Sequence, residues 1–331
     1  MQRCRFAAAF LVAIFLGIQV AAVAQWTWTP QTKRWINLKR LPKETPELQV
    51  EYARSLMLQG EYKKALRETN KFKSFYGDTA FADENQFLRG EIRMAQGDYK
   101  DAAKEFQQVI TGYPDTDRFQ DVIKKQYEIG DLLFEKGQKR LKRGWWIPFR
   151  KRPFSAAIEV YRMVIDNQPF TEAAAEAQYK VGLCHFTLKE YVEAAYEYRR
   201  VVEEYGNSEW VDEAAYGLAE CYYAASRPPE YDQSPSLLAI TAIDDFKRRF
   251  PSDERLQTLE PKRTEMRERV AQQRLKTAQF YEKRRKFDAA RICYEVVVEQ
   301  FPETTAAEKA KTWLTEHPKP VSGDTTAQAS L

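Results

Sequence analysis

Histidine is almost missing from this chain: His185 and His317 are the only two among 331 residues. Imidazole is the usual acid–base group near neutral pH and the commonest metal ligand, so its scarcity removes most routes to both chemistries. Glycine is also sparse, at 13 residues, and no G-x-x-x-x-G-K, G-x-S-x-G, H-E-x-x-H or C-x-x-C occurs. Cys184 and His185 are adjacent, but neighbours on a helix point about 100° apart and do not face each other. The many carboxylates are scattered on helical faces, where solvation is their ordinary role. We expect no catalytic residue, no cofactor and no metal.

Cysteine is scarce too. Of four, Cys4 precedes a long apolar run, leaving Cys184, Cys221 and Cys293. Cys184 and Cys221 occupy matching places in neighbouring repeats (below), roughly 8–10 Å apart if helices pack there, which exceeds the usual disulfide reach. They read as small buried apolar residues.

A large charge of one sign is absent as well. The formal net charge is +4, and residues 1–24 carry two Arg and no acid, so removing them leaves +2. Such a balance gives no bulk attraction to nucleic acid. Residues 1–24 themselves read as a secretory signal. Arg3 and Arg5 precede an apolar stretch from Phe6 to Val20, and Ala22-Val23-Ala24 forms a small-x-small cleavage pattern before Gln25. The stretch is shorter than the ~20 residues a spanning helix needs. The expected destination is outside the cytoplasm.

What is present is a repeat. An aromatic residue is followed by Ala at +3, apolar residues near +7 and +10, then an aromatic with Pro or Gly. It appears at Tyr62-Ala65-Phe72-Tyr76-Gly77 and at Tyr99-Ala102-Phe106-Val109-Tyr113-Pro114. Phe154-Ala157-Tyr161-Val164 and Tyr191-Ala194-Tyr198-Val201-Tyr205-Gly206 follow. Ser236-Ala239-Ile243-Phe246-Phe250-Pro251 is a degenerate copy, and Phe287-Ala290-Tyr294-Val297-Phe301-Pro302 is the last. These offsets keep one side of a 3.6-residue helix apolar, and the Pro or Gly stops it. Thr79, Thr116, Thr171, Ser208, Ser252 and Thr304 follow the stops as candidate caps. A second amphipathic stretch precedes most copies, with a small residue at Gly90, Gly130, Gly182 and Ala219 where two helices would approach closely. Tight turns at Gly60-Glu61, Gly97-Asp98 and Lys189-Glu190 join the two.

This arrangement resembles the tetratricopeptide repeat over residues 47–315. Its anchors are spaced by 37, 55, 37, 45 and 51 residues, against 34 for that repeat. The fold class expected is all-α, a helical-hairpin solenoid of right-handed superhelical type with about five to six repeats. Such units bury their faces only by stacking and present surfaces to partners.

Two aromatic–basic segments stand outside the pattern. Residues 25–46 hold Trp26, Trp28 and Trp35 among Lys33, Arg34, Lys39, Arg40 and Lys43. An insertion at 136–153 holds Trp145, Trp146 and Phe149, and its residues 136–152 carry eight Lys/Arg and no acid. Trp beside cations suits a membrane interface, a partner groove or a cap folded onto the solenoid. After Pro261 a charged run leads into the last repeat as one long helix, a candidate docking strut. The tail, residues 316–331, has no apolar period and is expected to be disordered.

The last copy and closing helix, AQFYEKRRKFDAARICYEVVVEQFPETTAAEKAKTWL, and the segment YDQSPSLLAITAIDDFKRRFP resemble the BamD (YfiO/ComL) family. The resemblance implies a periplasmic scaffold of outer-membrane β-barrel protein assembly. Its partners would be the barrel subunit's periplasmic domains and incoming outer-membrane proteins, with no nucleic acid. That family carries a lipobox Cys after its signal, whereas Gln25 stands here, so attachment would be peripheral. The alternatives are a Tol-type adaptor resembling CpoB/YbgF, a family with a coiled coil before its repeats where residues 25–47 here hold no heptad run, and a cell-wall-binding protein using the Trp clusters. By the resemblance to the tetratricopeptide repeat, the groove would be lined by Arg54, Glu84, Phe87, Glu91, Tyr127, Asp131 and Tyr179. Phe87 and Tyr127 would form its apolar floor and Arg54 would be a charge partner for an extended peptide.

Overall fold

The computed structural model describes residues 26–29, 34–37, 41–77, 79–142 and 147–318. The signal segment, Trp145, Trp146 and the tail beyond Pro318 lie outside the described residues. The chain forms two compact units, residues 1–122 and 123–331.

The first unit opens with strands β1 (Trp26–Thr29) and β2 (Arg34–Asn37), paired antiparallel with Trp28 opposite Trp35. Helices α1 (Pro46–Leu58), α2 (Tyr62–Tyr76), α3 (Ala82–Ala95) and α4 (Tyr99–Gly112) follow as two hairpins. The first turn of α5 (Phe119–Lys142) belongs to this unit as well. Val50, Ala53, Ala65, Phe72, Leu88 and Ile92 form the buried core of the first three helices.

The second unit contains the rest of α5, then α6 (Ile147–Asn167), α7 (Glu172–Thr187), α8 (Tyr191–Glu204), α9 (Val211–Ala225) and α10 (Ser234–Arg249). Helices α11 (Leu256–Lys283), α12 (Phe287–Gln300) and α13 (Thr305–Glu316) complete it. The anchors expected from the repeat start or occupy the second helix of each hairpin, and the all-α hairpin architecture holds in both units. The strand pair is its one addition among the described residues.

Two local features recur among the hairpins. The first is close approach at the small position. A methyl placed on Gly90 would stand 2.6 Å from the Phe106 ring, and one on Gly182 would stand 2.7 Å from the Tyr198 ring. In the lengthened third hairpin this happens twice, with Gly130 against Tyr161 at 2.5 Å and Gly137 against Phe154 at 2.7 Å. The second is a left-handed residue at the turn: Gly60 (φ 76°), Gly97 (φ 79°), Lys189 (φ 61°) and Arg285 (φ 57°). Each lets two backbone N–H groups reach back to the preceding helix; Lys189 N bonds Phe186 O and Glu190 N bonds His185 O, both at 2.9 Å. These bonds satisfy carbonyls that a helix end otherwise orphans.

Three expectations need correction. Of the six candidate caps, Thr171 and Thr304 accept from the amides of Ala174 and Ala307 at 3.2 Å. Helices α3 and α9 begin instead after Phe81 and Trp210, without a side-chain cap. The insertion is not separate from the hairpin: residues 136–142 prolong α5 and 147–153 begin α6, with Gly137 packed into the core.

The charged helix α11 begins at Leu256, before Pro261 and not after it, and it packs into the body. Leu259, Met266, Val270, Ala271, Leu275 and Ala278 are buried. Three of its cations pair with neighbouring segments: Lys262 with Glu220, Arg263 with Asp244 at 2.6 Å and Arg267 with Glu303 in the connection between α12 and α13. Glu268 accepts from the Thr305 amide at 2.8 Å, at the N-terminus of α13 where a carboxylate is favoured.

Candidate partner-binding surfaces

In the first unit, Arg54 on α1 donates to Glu84 at 2.9 Å and Glu91 at 3.2 Å on α3. Glu84 also faces Arg118 at 3.5 Å, whose guanidinium lies 5.2 Å from the Phe87 ring centre. Two cations and two carboxylates therefore close on one another, and Arg54 is not a free cation awaiting a peptide. Phe87 is 5% exposed and meets Phe106 edge-on at 5.0 Å, so it fills the hairpin interior and not a groove floor. Behind them, Arg89 grips Glu105 with two bonds of 3.1 Å. Burial pushes the Glu105 carboxyl up, but bonds from Arg89 and Gln86 and the charges of Arg89 and Arg93 outweigh it and hold it below 4.5.

In the second unit, Asp131 on α5 accepts from the Tyr161 hydroxyl at 2.6 Å and from Lys180 at 3.1 Å. Burial, reinforced by that bond to Asp131, pushes the Tyr161 phenol well above its ordinary value. Tyr127 is half-buried, edge-on to Tyr161 at 5.7 Å, with Lys180 5.8 Å from its ring centre. Tyr179 stacks on Trp210 at 5.1 Å. Next along, Arg255 joins Asp212 at 2.9 Å, Glu213 at 3.1 Å and Asp253 at 2.6 Å. The structure thus joins Arg54 directly with Glu84 and Glu91, while Tyr127 and Asp131, both on α5, share the partners Tyr161 and Lys180. Trp28 and Trp35 lie on the strand pair, Trp26 within β1 and Phe149 within α6.

The second unit also holds a cleft of ≈660 Å³ that no sequence motif marks. One wall is the α7–α8 turn, with Lys189, Glu190, Tyr191, Val192 and Glu193; the other runs from Ala224 to Pro235. The connection after α9 is long but ordered, because the Gln233 amide donates to the carbonyls of Arg227 (3.3 Å), Pro228 (2.9 Å) and Tyr231 (3.0 Å). Ser236 holds the other end of that amide at 2.9 Å, and Gln233 is buried. Val192 (75% exposed) and Tyr231 (56%) leave apolar surface at the mouth. The 45-residue spacing between the anchors Tyr191 and Ser236 was the one available hint.

Burial pushes the thiols of Cys184 and Cys221 up, the latter to about 12, which makes them poor nucleophiles. Among the described residues no group of His, Cys, Asp and Glu is arranged to hold a metal, and no helix is long and apolar enough to cross a membrane.

Stacked helical hairpins that offer clefts and charged ridges define a tetratricopeptide-repeat protein, and residues 84–116 match the tetratricopeptide repeat family. The family described as "YfiO: Outer membrane lipoprotein" matches residues 131–328, more than half of the chain, and the chain belongs to that family. No curated protein matches it in sequence. Among solved structures, a tetratricopeptide repeat protein from Parabacteroides merdae is similar, with 14% identity and a TM-score of 0.32 over 82% of this chain and 97% of that one. The C-terminal part of a repeat-containing protein from Cytophaga hutchinsonii shows 16% identity and a TM-score of 0.34 over 81% and 88%. A thermophilic protein of this kind from Thermus thermophilus shows 13% and 0.33 over 66% and 98%.

Proposed function

We propose that the chain is a periplasmic scaffold of outer-membrane β-barrel protein assembly, of BamD type. It binds the barrel subunit's periplasmic domains or incoming outer-membrane proteins, and does so without catalysis. The observation that carries this reading is the YfiO match at residues 131–328, which takes in nearly the whole second unit and its preformed cleft. A cleft held open by a buried glutamine is ready before a partner arrives, which lowers the ordering cost of binding.

The test is capture from solubilised envelopes with the processed chain as bait, scored for a large β-barrel subunit bearing periplasmic repeats. That subunit is the expected partner; recovery of Tol components or of cell wall in its place would reverse the assignment. Val192→Asp puts a charge at the mouth of the cleft without touching the core. It should lower capture at least about tenfold if the cleft is the contact, with helicity unchanged.

A further inference from the structure

The segment before α1 differs from the rest of the molecule in both chemistry and form. It is the only described part built as strands, and it brings two tryptophans together as a directly opposed pair. The Trp28 and Trp35 rings meet edge-on at 5.9 Å and are 47% and 62% exposed. A pair of opposed aromatics is among the stronger cross-strand contacts, and a two-stranded hairpin alone in water is marginal. This pair therefore holds the hairpin together while leaving much of both rings uncovered.

The charge of this segment's sequence is one-sided. Between Gln25 and Lys43 the sequence has five Lys/Arg and no acid, in a chain whose overall charge is nearly balanced. The helical body handles its cations differently, setting Arg54, Arg89, Arg255, Arg263 and Arg267 against carboxylates. Lys43, at the segment's end, is clamped to the body. Its amide donates to Gln49 at 2.7 Å, its carbonyl accepts from Tyr76, and its ammonium lies 4.0 Å from the Tyr52 ring centre. The hairpin is tied to folded structure at one end.

We propose that this hairpin is a membrane-surface anchor that lays Trp28 and Trp35 into the interface of a bilayer bearing anionic phospholipid headgroups. The inference rests on the envelope location proposed above. Tryptophan settles at the headgroup level because its ring is apolar and its N–H polar, and clustered cations add attraction to anionic lipid. A bilayer suits the segment better than a protein groove does, since acid-free charge complements a uniformly anionic surface and needs no matched pockets.

The experiment uses the processed chain, Gln25 to Leu331, and vesicles of either phosphatidylethanolamine with phosphatidylglycerol or phosphatidylcholine alone. Expected are sedimentation with the anionic vesicles, much weaker sedimentation with the neutral ones, and a loss of at least about tenfold in Trp28→Ala/Trp35→Ala. Lys39→Glu/Arg40→Glu, outside the strand pair, should cost roughly fivefold or more per charge. Both variants should melt like the parent, which circular dichroism checks. Equal uptake by parent and Trp variant, equal uptake on neutral vesicles, or loss on Trp145→Ala/Trp146→Ala alone would overturn the proposal. So would binding to native envelopes that protease treatment abolishes while lipid vesicles take up nothing, since a protein would then be the partner. Capture of the barrel subunit by the Trp28→Ala/Trp35→Ala chain from detergent extracts is a separate readout, so the two readings fail independently.

Discussion

At the scale of single residues, the molecule repeats one turn with different chemistry. Gly60 and Gly97 take a left-handed φ at no steric cost, while Lys189 and Arg285 hold the same φ with a Cβ attached. A left-handed conformation costs a non-glycine residue about 1 kcal/mol, against which glycine's greater freedom in the unfolded chain counts partly. We therefore expect Lys189→Gly to leave stability unchanged or raise it by up to about 1 kcal/mol, read from urea denaturation. A loss would mean that the Lys189 side chain does more than turn the chain. Glu105 supplies a second residue-level expectation. Its carboxyl is held below 4.5 in the fold by Arg89 and Gln86. It therefore contributes stability in full above pH 4.5, and that contribution is lost as pH falls through the lowered folded value. Glu105→Gln should be less stable than the parent at pH 7, and the two denaturation curves should converge on acidification. A gap that widens instead would contradict the ion pair.

At the scale of elements, α11 shows where charge patterning misleads. Its sequence is rich in Arg, Lys and Glu, yet its apolar minority is buried: Leu259 in one core cluster, Met266, Val270 and Leu275 in another. Met266→Ala should cost about 2–5 kcal/mol, as for other fully buried residues of this size. A freely solvated strut would lose almost nothing, so the same denaturation measurement separates the two descriptions. The hairpins themselves were legible because they recur: Ala three residues after an anchor appears six times, and five of those anchors are aromatic. The helix boundaries at Leu256 and in the 136–153 segment were less so, since Pro261 and Pro153 are tolerated inside helices whose other residues still pack. The site was legible only in part. Glu84 and Glu91 sit at groove-type positions, but nothing periodic reveals that Arg54 is already shared between them. Three carbonyls gathered by Gln233 leave no trace in spacing either, so the cleft they shape stayed hidden. Long-range polar contacts have no period to read.

At the scale of the whole molecule, the architecture makes stability local. Each hairpin packs chiefly on its neighbours, so stability is close to a sum of hairpin and interface contributions. Phe106 is fully buried, touches Gly90 on the adjacent helix and meets Phe87 at 5.0 Å. Removing its ring in Phe106→Ala should cost about 3–5 kcal/mol, a large share of what one compact unit commands. The loss should be confined to residues 1–122. Hydrogen exchange followed by mass spectrometry would then show faster exchange through α1–α4, while α9, α11 and α12, built on Met266, Val270 and Tyr294 in the second unit, keep the parent's protection. Fold-wide loss of protection would mean that the chain unfolds as a single cooperative body. That would make the two compact units a matter of geometry alone, and a partner bound to the second would then stabilise the first by mass action. Under the local description no such gain occurs, and α1–α4 of Phe106→Ala exchange at the same rate whether or not the partner is bound.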